Sequence, residues 1–193
     1  MRLSKYEVPS QVHALRALAS LAQAGSIDPL IRATALRITN HLENKDEAAE
    51  LEAIFNAVKH GDSRVPALKN GVRYVADNRW ADHFTAPRRL LQMCKDGMCA
   101  EDCDGHAALI AALAASIGFM VGLRAWGPRN SQDYEHVYAV AILPKHGGPS
   151  SQVVGLDSTV DESNVGWEPP NGRVLTAWLD VESADLARSL SRR

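Results

Sequence analysis

The run DCDGHAALIAALAASIG over residues 102–118 constrains the fold more than any other part of the chain. It reads as a helix from about residue 103 to 117, rich in Ala, Leu and Ile, with Asp102 as a plausible cap and Gly118 as a natural C-terminal stop. Ala107, Ile110, Ala111, Ala114 and Ile117 all need cover. The helix is therefore expected to be the central element of the core, with its N-terminus pointing at a cleft.

The elements that supply the cover come in two blocks. Val12, Leu15, Leu18 and Leu21 share a face of a first helix, which Gly25 is expected to end. Asp28-Pro29 gives a cap and a first-position proline for a second helix, lined by Leu30, Ala33, Leu36 and Ile38. Asp46 caps a third, with Leu51, Ile54, Phe55 and Val58 on its apolar face. Gly, Asp, Ser and Pro gather in HGDSRVPALKN at 60–70, the best linker candidate. Beyond the central helix, Met120 to Trp126, Glu135 to Leu143 and Val153 to Asp157 read as strands. Residues 163–173 read as a loop, and Ala177 to Leu190 as a short closing helix. Helices first and consecutive strands later favour an α+β fold over a doubly wound sheet. The division expected is a helical subdomain over 1–65, packed on an α+β core over 66–193.

Composition narrows the function classes. With 46% hydrophobic and 23% charged residues among 193, a packed core is expected and wholesale disorder is not. The net charge is −2 and the basic residues are scattered, so no nucleic-acid partner is expected. No run approaches the roughly 18 apolar residues of a membrane span. His13 and Arg16 interrupt the N-terminal segment, so no signal peptide is expected. Three cysteines crowd at 94, 99 and 103, an odd, clustered set that argues for a cytoplasmic protein with a working thiol.

A nucleophilic cysteine needs help to become a thiolate, a base within reach, and a partner that fixes the base's tautomer. Cys103 opens the central helix, where unpaired N–H groups favour an anion. His136 opens one expected strand and Asp157 closes the next. Adjacent antiparallel strands bring those two ends together, so the expected catalytic set is Cys103, His136 and Asp157. Each also has an ordinary reading: a small buried thiol, a solvated histidine, an Asp-Ser-Thr turn. His106 rides the helix of Cys103 and is poorly placed to act as the base across a substrate. Cys94, Cys99, Cys103 and His106, spaced C-x4-C-x3-C-x2-H, form a zinc set of acceptable chemistry but unusual spacing. Cys94 and Cys99 are read as ordinary thiols, with a disulfide or a redox role as alternatives. Trp126 and Trp167 are candidates to line the cleft, and Arg88-Arg89 reads as a solvated helix face.

Asp102-Cys103-Asp104, His136-Val137 and Leu156-Asp157-Ser158-Thr159 together resemble the transglutaminase-like superfamily. The flanks resemble its phage and prophage branch: Tyr74-Val75-Ala76-Asp77, Asp82-His83-Phe84-Thr85-Ala86-Pro87 with Leu90-Leu91, and Gly166-Trp167-Glu168-Pro169-Pro170. The likeness covers residues 70 to 172 and departs at 94–101, where that branch often carries a short Gly-rich run. It implies a papain-like α+β fold and acyl transfer on a carboxamide or peptide bond of a protein or peptide substrate, through a thioester, with no cofactor or metal. The oxyanion donors expected are the Cys103 N–H and a second group, Gln92 or Trp80. The alternatives are an inactive phage or prophage structural or assembly protein, and a zinc-stabilised binding module.

Overall fold

The computed structural model describes residues 10–43, 46–76, 84–145, 147–148 and 150–180. Its elements run α1 (Gln11–Ser26), α2 (Pro29–Thr39), α3 (Glu47–Lys59), a 3-10 turn (Pro66–Leu68), β1 (Arg73–Tyr74), α4 (Pro87–Lys95), β2 (Ala100–Glu101), α5 (Cys103–Ser116), β3 (Val121–Pro128), β4 (His136–Leu143), β5 (Gln152–Leu156) and β6 (Gly172–Trp178). This is an α+β arrangement of helices with a small antiparallel sheet.

Helix α5 sits at the centre. Every residue from Gly105 to Ala114 is buried, so the helix is apolar all round and needs cover on every side. Helices α1, α2, α3 and α4 pack around it, and β3 and β4 lie across its remaining face. Leu109, Ile110 and Leu113 are wholly inaccessible, each contributing about 1.5–3 kcal/mol by leaving water. Gly118 follows with φ +96°, the left-handed turn that an L side chain resists, and ends the helix as expected.

The sheet runs in the order β5-β4-β3-β6, each pair antiparallel, and β1 pairs with β2 in a separate parallel ribbon. Strands β3, β4 and β5 fall where alternation and β-branched content put them. Strand β6 does not: Ala177 and Trp178, expected to begin a helix, end a strand paired with β3. The second edge of β3 needs hydrogen-bond partners once β4 holds the first, and Val174, Thr176 and Trp178 suit an extended chain. Residues 181–190 of the expected closing helix lie outside the described residues.

The faces and ends of two helices differ from expectation. The buried face of α2 is Ile31, Thr34, Ala35 and Ile38, whereas Leu30 and Leu36 are exposed at 38% and 37%. The tertiary contact with α5 sets the rotation of this helix, and a short apolar-rich segment offers more than one plausible stripe. Gly25 lies inside α1 rather than ending it. A Cβ there would sit 3.0 Å from Pro87 Cγ and 3.1 Å from Ala112 Cβ. The glycine lets α1 approach α4 and α5 closely. Asp28 and Asp46 cap α2 and α3 as expected, accepting from Leu30 N at 2.8 Å and Ala49 N at 3.0 Å. Arg88 is exposed on α4 as expected and also pairs with Asp28 at 2.8 Å. In the 60–70 segment Val65 and Leu68 are buried against the core, so it packs rather than hanging as a linker. No helix among the described residues is long and apolar enough to cross a membrane.

If Gly25 serves close packing, Gly25→Leu forces α1 away from α5 and lowers stability by about 1–3 kcal/mol. Urea unfolding measures this. Gly25 lacks the left-handed φ of a stop glycine, so an unchanged unfolding midpoint would show that the close approach is not required.

Candidate active site

The ladder between β4 and β5 sets the geometry. Ala139 pairs with Leu156. One further step puts Asp157 opposite Tyr138, with His136 on the same face, two residues along β4. The His136 and Tyr138 rings stack at 6.0 Å with planes 24° apart. His136 Nε2 meets Asp157 Oδ2 at 2.7 Å. The Asp157 side chain is fully buried and that of His136 is 19% exposed. The other Asp157 oxygen accepts from Thr159 N at 3.1 Å and Thr159 Oγ1 at 2.7 Å. Burial acts to raise the Asp157 carboxyl, but the hydrogen bond and charge of His136, with the two Thr159 bonds, hold it below its ordinary value.

Cys103 is the first residue of α5 and lines a cavity of about 250 Å³ together with His136. Asp102, Asp104 and Glu135 supply an acidic side to that cavity; Ala14, Leu15, Leu18, Phe84, Ala125 and Val137 supply an apolar one. Nε2 of His136 is engaged by Asp157, so Nδ1 is the ring nitrogen left for another partner. Three expected residues therefore gather at one end of the sheet: Cys103 and His136 border one cavity, and Asp157 backs the ring.

The electrostatics of Cys103 differ from expectation. Burial first, then the charge of Asp104 and more weakly that of Asp102, pushes the thiol up to about 12, against N–H donation from Val137 and Cys103 itself. The helix start does not by itself hold a thiolate. Its cap, Asp102, takes the free N–H groups of Asp104 at 3.0 Å and Gly105 at 3.4 Å. Asp104 Oδ1 lies 3.9 Å from the sulfur. Both carboxylates stabilise a helix N-terminus and oppose a second anion there.

His106 is not part of this cavity. It is buried, its Nδ1 lies 2.9 Å from Ser158 Oγ, and Tyr74 packs edge-on at 6.3 Å. Burial lowers its pKa to about 4, against the Arg73 carbonyl and the Asp157 charge. It is a neutral core histidine. The zinc set is not assembled: Cys94 and Cys99 are joined in a disulfide, and Ser158 engages His106. Among the described residues no group of three or more His, Cys, Asp or Glu converges to hold a metal. The disulfide also replaces the expected thiols at 94 and 99, leaving one free thiol, Cys103, where three were expected. Gln92 is exposed on α4 and does not border the cavity; nor do Trp126 and Trp167. Trp80 and the lead-in residues Asp77, Asp82 and His83 lie outside the described residues.

The sequence reading missed several neighbours. Gln11, Ala14, Leu15 and Leu18 bring α1 to the cavity wall, and nothing local marks them for that role. Tyr74 lies close enough to Cys103, Asp102, Asp157 and Asp104 that burial, then their charges, raises its hydroxyl. In comparisons with known proteins, no family model matches the chain, and no characterised protein or solved structure is similar to it beyond chance.

Two outcomes follow from these environments. As pH falls from 6.5 towards 4, unfolded His106 takes up a proton that the folded state refuses, so stability drops across that window. His106→Gln should flatten the slope, read by urea unfolding against pH; the loss tied to Asp157 should begin only below about 3.8. Asp104→Asn removes the carboxylate that opposes ionisation of Cys103 more strongly. Cys103 alkylation by iodoacetamide at neutral pH should then rise severalfold.

Proposed function

We propose that this chain is a cysteine-dependent acyl-transfer enzyme with a transglutaminase-like, papain-like core, acting on a carboxamide or peptide bond. One observation carries the reading: the 2.7 Å His136 Nε2–Asp157 Oδ2 contact behind a cavity that both Cys103 and His136 border. The same pattern of residues carries the resemblance noted in the sequence.

In this mechanism Asp157 fixes the His136 tautomer and stabilises the imidazolium that forms. His136 Nδ1 takes the Cys103 proton as the sulfur attacks the carbonyl. Burial and the charges of Asp104 and Asp102 oppose a standing thiolate, so in this reading His136 takes the proton as the sulfur attacks. The Cys103 N–H is a natural donor to the oxyanion. His136 then protonates the leaving amine, leaving a thioester on Cys103. Water resolves the thioester in hydrolysis, and a second amine resolves it in transamidation. No step draws on a metal or cofactor.

The second reading, an inactive phage or prophage assembly protein on the same scaffold, is favoured by one feature: burial and two carboxylates hold the Cys103 thiol up to about 12. Burst acylation by a p-nitrophenyl ester, read by intact mass, separates the two. Acyl transfer predicts one acyl group on Cys103. Cys103→Ala should abolish it, and His136→Ala should slow it by about 10²–10⁴. Asp157→Asn should lose part of the rate and Asp157→Ala more, because the amide can hold the ring but carries no charge. An unchanged rate in His136→Ala would favour the inactive scaffold.

A further inference from the structure

We propose that Gln11 and Lys59, both from the N-terminal helices, are positioning residues for the His136–Asp157 pair. The proposal rests on the acyl-transfer reading and extends it to residues that touch none of the reacting atoms.

Gln11 opens α1, and its side-chain amide binds both polar groups of one residue. Nε2 donates to Tyr134 O at 2.9 Å and Oε1 accepts from Tyr134 N at 2.8 Å. This two-point bond acts as an extra ladder rung, made by a side chain, two residues before His136. On the next residue, Glu135 N donates to Trp126 O at 2.9 Å. Arg173 holds the same loop from β6: Nε donates to Ser131 O at 3.0 Å, and its guanidinium lies 4.2 Å from the Tyr134 ring centre. The backbone that delivers His136 into β4 is thus fixed from two strands and one helix. Among the described residues the His136 ring is held by one hydrogen bond, to Asp157, and by stacking on Tyr138, so its placement at the cavity also depends on where that backbone enters.

Lys59 closes α3 and does the equivalent on the other side. Its Nζ donates to the carbonyls of Val160 at 2.8 Å, Asp161 at 3.0 Å and Ser163 at 2.6 Å, and lies 3.0 Å from Ser163 Oγ. Ser163 Oγ in turn donates to the Asp157 carbonyl. One ammonium therefore gathers the turn that follows Asp157, and through Ser163 reaches the backbone of Asp157 itself. Converging carbonyls form a negative concavity that suits a compact point charge on a flexible stem. Gln11 and Lys59 belong to different helices, yet one holds the segment entering His136 and the other the segment leaving Asp157.

The test is the p-nitrophenyl ester acylation of Cys103 in the full chain, with its pH profile and Tm. Gln11→Met and Lys59→Met keep side-chain bulk and remove the bonds. They should slow acylation by about ten- to a hundredfold, as misplacement of a reacting group does, and shift the pH midpoint. Lys59→Arg keeps the charge but puts a planar fork where a compact ammonium sat, and should fall between Lys59→Met and wild type. Gln11→Glu keeps the acceptor for Tyr134 N–H, loses the donor to Tyr134 O, and should fall between. Arg37→Met, exposed on α2, should match wild type. If the Met variants do not fold, Gln11→Glu and Lys59→Arg carry the comparison. Variants that lower Tm while keeping the wild-type rate and pH profile would overturn the proposal, leaving both residues as plain fastenings. If His136→Ala slows acylation and the two Met variants do not, only this proposal falls. If His136→Ala has no effect, the acyl-transfer reading falls and takes this one with it.

Discussion

The burial of α5 on all sides is the constraint from which the rest follows. A helix with one apolar stripe needs a single neighbour; α5 needs a complete sleeve. Four helices and a sheet together supply it, which is why the N-terminal helices share one continuous hydrophobic core with the strands. A sleeve covers the sides of a helix and leaves its ends. The C-terminal end turns at Gly118 into β3; the N-terminal end, carrying Cys103, opens into the cavity. The location of the candidate site is thus a consequence of packing before it is one of chemistry.

That location sets two demands against each other. A buried helix start must satisfy its free N–H groups, and Asp102 does so. A nucleophile at the next residue gains from the same donors, but finds a carboxylate on them and a second carboxylate at Asp104. The helix N-terminus is thereby stabilised at the expense of the thiolate. On the proposed acyl-transfer reading, the proton on Cys103 is the control point of the site, and His136, which borders the same cavity, is the group to remove it.

Much of the fold was legible in the sequence, for reasons that differ by element. Asp28 and Asp46 cap helices because the bonds they make are local, within three residues. The central helix was legible because its composition leaves no other use for it. The His136 and Asp157 strands were legible because a strand end is a position that residue order alone can suggest. The face of α2 was not, since Leu30 and Leu36 are as apolar as Ile31 and Ile38, and only contact with α5 decides between them. Gly25 misled because a glycine that permits close approach looks the same in sequence as one that stops a helix. Strand β6 depends on a vacant edge of β3, and Gln11 and Lys59 depend on partners more than a hundred positions away. The disulfide was weighed as an alternative, but five residues of separation do not dictate a bond.

The ladder between β4 and β5 has a consequence for how such a chain can change over time. His136 and Asp157 meet because of hydrogen-bond register, not because twenty-one positions separate them. The connection between the two strands can lengthen or shorten without moving either group. A single residue gained or lost inside a strand flips every side chain beyond it to the opposite face. Length variation is therefore tolerated at one place and ruinous a few residues away. Descendants of this chain could keep the pair intact while the count between its members drifts, so that a motif written as a fixed spacing would lose sight of it. What persists under such drift is a relation between two neighbouring strands, visible in three dimensions and nearly silent in one.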